Sequence, residues 1–262
     1  MLINLAGGRI GPMGKVHRPL FEQAGYEVIV SGRNPDPANG VYSFEDGAKN
    51  SDITIVTVPI EATPGVIKRV APHCQGALMD FTGIKVIPLE TMAEFAPENC
   101  ERGGLHPMYG NVPSVKGRAV YHCKVKEGPL CQGIISTFRN AGANIIEVTP
   151  WQHDSRMAKI QNEGTVMLSE IYPLLAKLKL QDKLTPEETY RGAPPMLRAR
   201  IALLARAIAE PNDHIYQQMF DHNQFSTIKM NWGEMAQAAR ELYGEKFLAQ
   251  MQEKAKEIIA LV

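Results

Sequence analysis

Short apolar runs alternate with helical patterns along the first 150 residues of the chain. The runs that predict buried strands fall at residues 2–6, 26–30, 53–58, 77–80, 119–123 and 144–148. Helical patterns lie between them, at 16–24 and, after a proline, at about 63–70. Apolar strands that alternate with helices are typical of a parallel sheet covered by helices on both faces. We therefore predict a doubly wound α/β sheet for residues 1–150.

The pattern changes after residue 150. From Trp151 onward the β-branched runs disappear, and Ala, Leu, Met, Gln, Glu, Lys and Arg dominate. Helical spacing extends over 152–179, 196–209, 213–242 and 245–261, with prolines at the breaks. We expect a second, all-helical domain over 151–262. Its helices are long and apolar for so small a domain, which favours packing against a second subunit. Packing over the first domain is the alternative.

Composition narrows the class of partner. The 262 residues carry 28 basic and 28 acidic side chains, so nothing favours binding to nucleic acid or to an acidic membrane surface. No apolar run approaches the ~18 residues that a membrane-spanning helix needs. The four cysteines are widely spaced, with no metal-ligand spacing, and are typical of reduced thiols. We expect a cytoplasmic protein without a metal site.

A glycine-rich segment, GGRIGPMG at 7–14, follows the first strand and begins the first helix. Backbone N–H groups and the helix dipole favour a pyrophosphate there. The match to GxGxxG is imperfect, because Arg9 stands where the first glycine would fall. A tight turn that binds nothing is the alternative. The residues expected to line a dinucleotide are Gly8, Arg9, Ile10, Gly11, Met13 and Gly14.

The end of the second strand indicates which dinucleotide binds. NAD sites usually place an acidic side chain there, whereas this chain reads VSGRN at 30–34. Ser31 can donate a hydrogen bond to a 2′-phosphate and Arg33 can pair with it, while Arg9 adds a second positive group. A solvated loop role for Arg33 is the alternative. We favour NADP over NAD, which stays possible.

The segment GLHPMYG at 104–110 places His106 in an expected turn bounded by glycine and proline. A neutral imidazole can take a proton from a substrate hydroxyl while a cofactor takes a hydride. The alternative is a turn histidine bonded to backbone. The segment DFTGIK at 80–85 supports the chemical interpretation, because it lies at the carboxyl end of a predicted strand, where ligands of such sheets bind.

Two features of the predicted helical region also suit a substrate site. The segment HDSRMAKIQ at 153–161 contains His153 and Asp154. Capping of a helix is the alternative role for these two residues. Arg198 shares a helix with Arg200 and Arg206 and suits bidentate binding of a carboxylate. Plain surface charge is the alternative for these arginines.

Four segments, taken in order, resemble motifs of the prephenate/arogenate dehydrogenase family. They are the glycine-rich opening with MG at 13–14, VTVPIEAT at 56–63, GLHPMYG at 104–110, and HD at 153–154 followed by Met157, Ala158 and Gln161. The resemblance extends over nearly the whole chain. It implies a Rossmann-type domain followed by a helical domain that intertwines in a homodimer. It also implies oxidative decarboxylation of a prephenate-like cyclohexadiene carboxylate, a reaction of tyrosine biosynthesis.

The resemblance assigns roles to single residues. His106 matches the catalytic histidine, which hydrogen-bonds the substituent at ring C4. Arg198 matches the arginine that binds a substrate carboxylate. Hydride then passes from C4 to the nicotinamide, and carbon dioxide leaves as the ring becomes aromatic. The resemblance places three further residues at the substrate and one at the cofactor: Thr82, His153 and Gln161, and Pro59.

Several positions depart from the family pattern. Gly83 stands where a serine usually precedes Val-Lys, and Thr165 stands where a histidine is often found. Asn111 follows Gly110 where the family frequently has proline. Since these changes lie where the ring substituent and side chain would sit, the resemblance does not single out prephenate, and arogenate or 4-amino-4-deoxyprephenate stays open as the substrate.

Two other functions stay open. A β-hydroxyacid or imine-type reductase would use a lysine with an asparagine one turn later, as in Lys159 and Asn162, but the expected preceding glycine cluster is missing. A catalytically silent NADP-binding sensor would keep the Rossmann-type fold without the chemistry.

Overall fold

The computed structural model of the protein describes residues 1–8, 11–110, 112–209, 212–227 and 230–260. The chain forms two compact units, Met1–Ser155 and Arg156–Val262. Their division falls close to residue 150, where the sequence changes character. Arg9 and Ile10, which we expected at a dinucleotide, lie outside the described residues, as does Asn111.

The described part of the first unit contains one sheet of eight strands. These are β1 (Leu2–Ala6), β2 (Glu27–Ser31), β3 (Val41–Tyr42), β4 (Ile53–Val56), β5 (Ala77–Asp80), β6 (Glu101–Pro107), β7 (Ala119–Lys126) and β8 (Asn144–Val148). Their order is β3-β2-β1-β4-β5-β6-β7-β8, and all neighbours are parallel except β6 and β7. The direction of winding changes between β1 and β4, the switch point of a doubly wound sheet. The predicted fold class is confirmed.

Helices cover both faces of this sheet. They are α1 (Pro12–Gln23), α2 (Phe44–Lys49), α3 (Thr63–Val70), α4 (Val86–Phe95) and α5 (Pro129–Asn140), and α6 (Pro150–Met157) follows the last strand. Side chains alternate between two cores because successive strand residues face opposite sides. Ile3 and Leu5 pack in one core with Phe138. Ala6 packs in the other with Phe44 and Leu78.

The main difference from the sequence prediction is β6. We expected His106 in a turn, but it lies within a strand and is paired with Tyr121 of β7. The neighbouring glycines allow close packing. A Cβ on Gly104 would lie 2.8 Å from Cδ of Lys85, and one on Gly103 would lie 2.9 Å from Oε1 of Glu127. The glycines therefore make room for buried polar side chains within a continuous strand.

Every regular element in the described part of the second unit is a helix, as expected. A π-helical segment, Ala158–Glu163, precedes α7 (Gly164–Ser169), α8 (Ile171–Gln181), α9 (Pro186–Gly192), α10 (Pro195–Ala207), α11 (Asn212–His222), α12 (Trp232–Tyr243) and α13 (Glu245–Ala260). Two predicted long helices, 152–179 and 213–242, are therefore divided. In the second case the side chain of Asn231 accepts a hydrogen bond from the N–H of Glu234 and begins a new helix.

The core of this unit is built around large apolar side chains. Trp232 is fully buried and packs against Phe220, while Ile201, Leu204 and Phe247 belong to the same cluster. Within the described residues, no helix has both the length and the apolar character needed to cross a bilayer.

The close approach of α1 to β1 gives a testable prediction. A Cβ on Gly14 would lie 1.9 Å from the carbonyl oxygen of Gly8, and backbone cannot yield as a flexible side chain can. We expect Gly14→Ala to lower the free energy of unfolding by about 1–3 kcal/mol, measured by urea denaturation. Gly65→Ala is the matched control, because Gly65 is exposed in α3 and its Cβ would meet no atom within 4 Å. That control should be stabilised by about 0.5–1 kcal/mol. Wild-type stability in Gly14→Ala would contradict the close approach.

Candidate active site

The carboxyl ends of four neighbouring parallel strands, β1, β4, β5 and β6, meet at one edge of the sheet. The glycine-rich segment follows β1, Pro59 follows β4, and residues 80–85 begin at the end of β5. His106 is the second-last residue of β6. Ligands of doubly wound sheets bind at this edge, beside the switch point. The first unit therefore brings together predicted site residues that are far apart in sequence.

Three residues form a buried triad: His106, His153 and Asp154. Nδ1 of His106 lies 2.9 Å from Nε2 of His153, and Nδ1 of His153 lies 2.7 Å from Oδ1 of Asp154. The Asp154 carboxylate accepts hydrogen bonds from the backbone N–H groups of Lys85 (2.7 Å) and Val86 (3.0 Å). These N–H groups begin α4, where the helix dipole favours a negative charge. The triad is thus anchored to a helix N-terminus.

His153 was expected to contact the substrate, and the structure corrects this. Its side chain is fully buried, and both ring nitrogens have partners inside the first unit. Sequence spacing gave no signal for the bonds of Asp154, because they join residues 68 and 69 positions apart.

A buried ion pair lies beneath the triad. The Lys85 ammonium contacts the Asp80 carboxylate, and both side chains are completely buried. Thr82 supports this pair, since its hydroxyl lies 2.5 Å from Oδ1 of Asp80 and 2.8 Å from the carbonyl oxygen of Ile84. We expected Thr82 at the substrate, but its hydroxyl is directed into the interior. Its one proton can be donated to either of these two interior acceptors.

The electrostatic surroundings of His106 keep its ring neutral. Burial lowers the pKa of His106 well below its ordinary value, and His153 and Lys85 lower it further. Burial, followed by the charge of Lys85, lowers the pKa of His153 to about 2. Both imidazoles are therefore uncharged at neutral pH, which is the form that can accept a proton.

Gly83 lies against the other edge of the His106 ring. A Cβ on Gly83 would lie 3.7 Å from Nε2 of His106 and 3.5 Å from Cδ1 of Ile60, which are ordinary contacts. A Cβ therefore fits at position 83 without displacing backbone. Glycine leaves the Nε2 edge of the ring without a neighbouring side chain from this position.

The glycine-rich segment fits a dinucleotide. Gly7 has φ = +94°, which lets the chain turn after β1, and Gly14 packs directly against the Gly8 backbone. A Cβ on Gly11 would meet no atom within 4 Å, and the first turn of α1 carries no acidic side chain. Backbone N–H groups of Met13 and Gly14 at this helix start suit a phosphate. Pro59 is exposed at the neighbouring end of β4.

The end of β2 differs in one respect from what we expected. Ser31 is completely buried, and a Cβ on Gly47 of α2 would lie 2.7 Å from its Cβ and 2.8 Å from the Asn4 amide. Its hydroxyl therefore belongs to the interior and does not face a phosphate. Arg33 is exposed two residues later and carries the positive charge at this strand end.

A second polar pair connects α1 to the segment after β6, and sequence reasoning missed it. Nδ1 of His17 lies 2.8 Å from the carbonyl oxygen of Met13, and Nε2 lies 3.0 Å from the hydroxyl of Tyr109. The ring packs among Phe21, Phe81 and Phe138 as well as Tyr109. Burial lowers the pKa of His17 to about 4, although its bond to Met13 acts in the opposite direction.

The remaining candidate residues belong to the second unit. Gln161 lies in the π-helical segment, a geometry that is frequent at functional sites. Arg198 donates to the carbonyl oxygens of Ala193 (2.8 Å) and Arg191 (2.5 Å). Asn162 is completely buried and donates to the carbonyl oxygen of Met219, which does not favour the reductase alternative.

A family model described as the prephenate dehydrogenase nucleotide-binding domain matches residues 24–120. This range includes His106 but begins after the glycine-rich segment. The chain is 31% identical over 238 residues to a probable arogenate/prephenate dehydrogenase of Methanocaldococcus jannaschii, covering 84% of this chain and 52% of the relative. It is 28% identical over 157 residues to the T-protein of Haemophilus influenzae, covering 59% of this chain and 40% of that protein. The chain thus spans about half the length of the curated relatives it matches.

Solved structures share the fold. Prephenate dehydrogenase from Aquifex aeolicus, in complex with hydroxyphenyl propionate and NAD+, superposes with a TM-score of 0.62 at 14% identity, covering 99% of this chain and 91% of that one. Arogenate dehydrogenase from Synechocystis gives a TM-score of 0.57 at 14% identity, covering 100% and 88%. At such identities the likeness establishes the fold.

The buried ring of His17 predicts acid sensitivity. The unfolded chain protonates His17 near its ordinary pKa of 6.5, whereas the folded chain does so only near pH 4, so acid favours unfolding between these values. Comparing wild type with His17→Gln by urea denaturation, we expect the stability advantage of wild type to fall by up to about 1.4 kcal/mol per pH unit below pH 6.5. Phe138→Leu, in the same aromatic cluster, should destabilise equally at every pH. A pH-independent difference for His17→Gln would contradict a neutral buried ring.

Proposed function

The chain belongs to the prephenate/arogenate dehydrogenase family, and we propose that it carries out NAD(P)-dependent oxidative decarboxylation of prephenate, arogenate or 4-amino-4-deoxyprephenate. The observation that carries the proposal is a buried, neutral His106 at the same sheet edge as the glycine-rich segment. NAD(P), when bound, accepts the hydride that leaves ring C4. The product is aromatic, and aromatisation supplies the driving force, so the protein has mainly to align and polarise the substrate.

His106 would act on the substituent at C4. Its neutral ring takes the hydroxyl proton as the hydride leaves, and the electron pair of the breaking bond to the carboxylate then enters the ring. Carbon dioxide departs, and the proton returns to the phenolic oxygen, so the protein ends the cycle unchanged. General base catalysis of this kind contributes typically ~10²–10⁴-fold in rate.

The nucleotide would lie along the start of α1. Gly8, Gly11, Met13 and Gly14 suit the pyrophosphate, because they combine a close backbone approach with a helix N-terminus. Arg33 would pair with a 2′-phosphate, which favours NADP. Ser31 is buried and is therefore not proposed to contact the 2′-phosphate. Arg9 and Ile10 are proposed at the dinucleotide from the sequence alone.

The candidate residues of the second unit keep the roles that the sequence resemblance implies. Arg198 would bind a substrate carboxylate. Its two bonds to backbone carbonyls use two of the five guanidinium N–H donors and fix its plane. Gln161 keeps its proposed role in substrate binding. Exposed apolar side chains on this unit, Met167, Leu180 and Met196, support a homodimer, and we place the enzyme in the cytoplasm.

Replacement of His106 tests the reaction. We expect His106→Asn to lower kcat by about 10²–10⁴-fold, while the Kd for NADP changes less than about twofold, since the ring acts on the substrate. The measurement is NADPH formation with prephenate, arogenate and 4-amino-4-deoxyprephenate side by side. His73→Asn, an exposed histidine before β5 at the opposite end of the strands, is the control and should keep wild-type rates. Full activity of His106→Asn would exclude this role. Absence of turnover by wild type on all three substrates would favour the sensor alternative.

Cofactor preference tests the role of Arg33. We expect wild type to bind NADP more tightly than NAD, and Arg33→Ala to weaken NADP about tenfold while leaving NAD nearly unchanged. A charge-assisted bond of ~1.5–3 kcal/mol is lost only with the phosphorylated nucleotide. Fluorescence titration with each nucleotide measures both constants. Arg18→Ala on the exposed surface of α1, where Arg18 pairs with Glu22, controls for loss of positive charge. Tighter NAD binding by wild type would refute the assignment.

A further inference from the structure

We propose that His153 and Asp154 are positioning residues that hold His106 in one tautomer, with its proton on Nδ1 and an acceptor lone pair on Nε2. The role of that lone pair in the reaction rests on the proposed function. The tautomer itself is a property of the free chain, so it can be tested without substrate or cofactor.

The assignment begins at Asp154, which can only accept. A backbone N–H is always a donor, and Asp154 receives two of them, from Lys85 on Oδ1 and from Val86 on Oδ2. Burial raises the pKa of Asp154, while these two bonds and the Lys85 ammonium act in the opposite direction. The two N–H bonds and the nearby ammonium stabilise the ionised carboxylate, so the second lone pair of Oδ1, which faces His153, accepts.

The acceptor role of Asp154 then fixes the donor and the acceptor in the two contacts of the triad. Because Oδ1 of Asp154 accepts, Nδ1 of His153 must donate across their 2.7 Å contact. Neutral imidazole carries one proton, so Nε2 of His153 is an acceptor. Nδ1 of His106, 2.9 Å away, must therefore donate, and its own Nε2 keeps the lone pair.

The surroundings oppose the other protonation states. A doubly protonated His153 would reverse the direction of its bond to His106, but it would place a second positive charge beside buried Lys85. Tyr121 also lies beside the His153 ring, edge-on with 5.5 Å between the ring centroids, and this contact occupies neither ring nitrogen. The triad therefore has one consistent arrangement of protons.

The open edge of the ring fits this arrangement. Nε2 of His106 points toward Gly83, where a Cβ would still be 3.7 Å away, so a small polar group can approach it. An acceptor at this place selects a substituent that donates, as a hydroxyl or an amino group does. His153 and Asp154 act on the substrate only through His106.

The first test is ¹⁵N NMR of the free protein labelled at histidine, with the His106 signals assigned by their loss in His106→Asn. We expect His106 and His153 each to show a protonated-type Nδ1 and an unprotonated-type Nε2 near pH 7. The reverse pattern, or averaged shifts at His106, would overturn the proposal.

Two substitutions at one position separate positioning from plain structural support. His153→Leu removes the acceptor, so we expect averaged shifts at His106 and a kcat at least tenfold lower, with the Kd for NADP unchanged. His153→Gln restores an amide oxygen that can accept from Nδ1 and should recover much of the tautomer and the rate. His73→Leu is the control and should retain the wild-type spectrum.

The outcomes are distinguishable. Wild-type shifts at His106 in folded His153→Leu, shown by an unchanged melting transition or by NADP binding, would refute the positioning role. If His153→Leu does not fold, the wild-type spectrum and His153→Gln still decide. The expected tautomer without turnover on any of the three substrates would contradict the proposed function and leave this assignment standing.

Discussion

The Asp154 carboxylate at the start of α4 is the contact on which the site depends. A buried carboxylate is destabilising unless fixed donors surround it, and here two backbone N–H groups and one imidazole do so. The same contact joins α6 to the end of the loop after β5. It therefore fixes the strand edge and the orientation of His153 in one step. Without it, two buried histidines would have no defined arrangement of protons.

Space for this polar interior comes from glycine. Gly104 has no side chain where the Lys85 stem passes, and its Cβ would also lie 3.0 Å from Asp80. A buried lysine and aspartate need each other, because removing either partner leaves an uncompensated charge. Gly83 works differently, since its missing Cβ opens the ring edge of His106 and relieves no clash. The missing side chain of Gly104 thus allows close packing of Lys85, whereas that of Gly83 leaves the Nε2 edge of His106 open.

The sequence predicts the periodic parts of the fold well. Apolar runs at 2–6 and 77–80 coincide with buried strands, because burial on both faces leaves a continuous apolar signature, and the run at 144–148 coincides with the edge strand β8. The sequence pattern does not predict β6, because the glycines that allow close packing in this strand resemble those of a turn. It also fails for Ser31, since a hydroxyl at a strand end gives no sign of the face on which it lies.

The candidate site was only partly predictable for a related reason. His106, the glycine-rich segment and the 80–85 segment carry local signals, and each lies at the expected sheet edge. The partners of Asp154 and of His17 depend on how distant elements pack, and no local pattern encodes a contact across 69 or 92 positions. The sequence showed the motif HD at 153–154, but only the hydrogen bonds of these two residues indicate their role.

The buried charges explain how one histidine can be neutral at rest and still accept a proton. Lys85 contributes one positive charge, and Asp80 and Asp154 contribute two negative charges. Burial lowers the pKa of His106, and His153 and Lys85 lower it further, so the resting ring is uncharged. In the proposed reaction His106 gains a proton on Nε2, and its Nδ1–H then polarises toward His153, which in turn donates to Asp154. The Asp154 carboxylate thus stabilises the protonated His106 ring through the two hydrogen bonds of the triad, which become stronger when the ring is charged. A carboxylate in direct contact would instead raise the resting pKa and lose the neutral base.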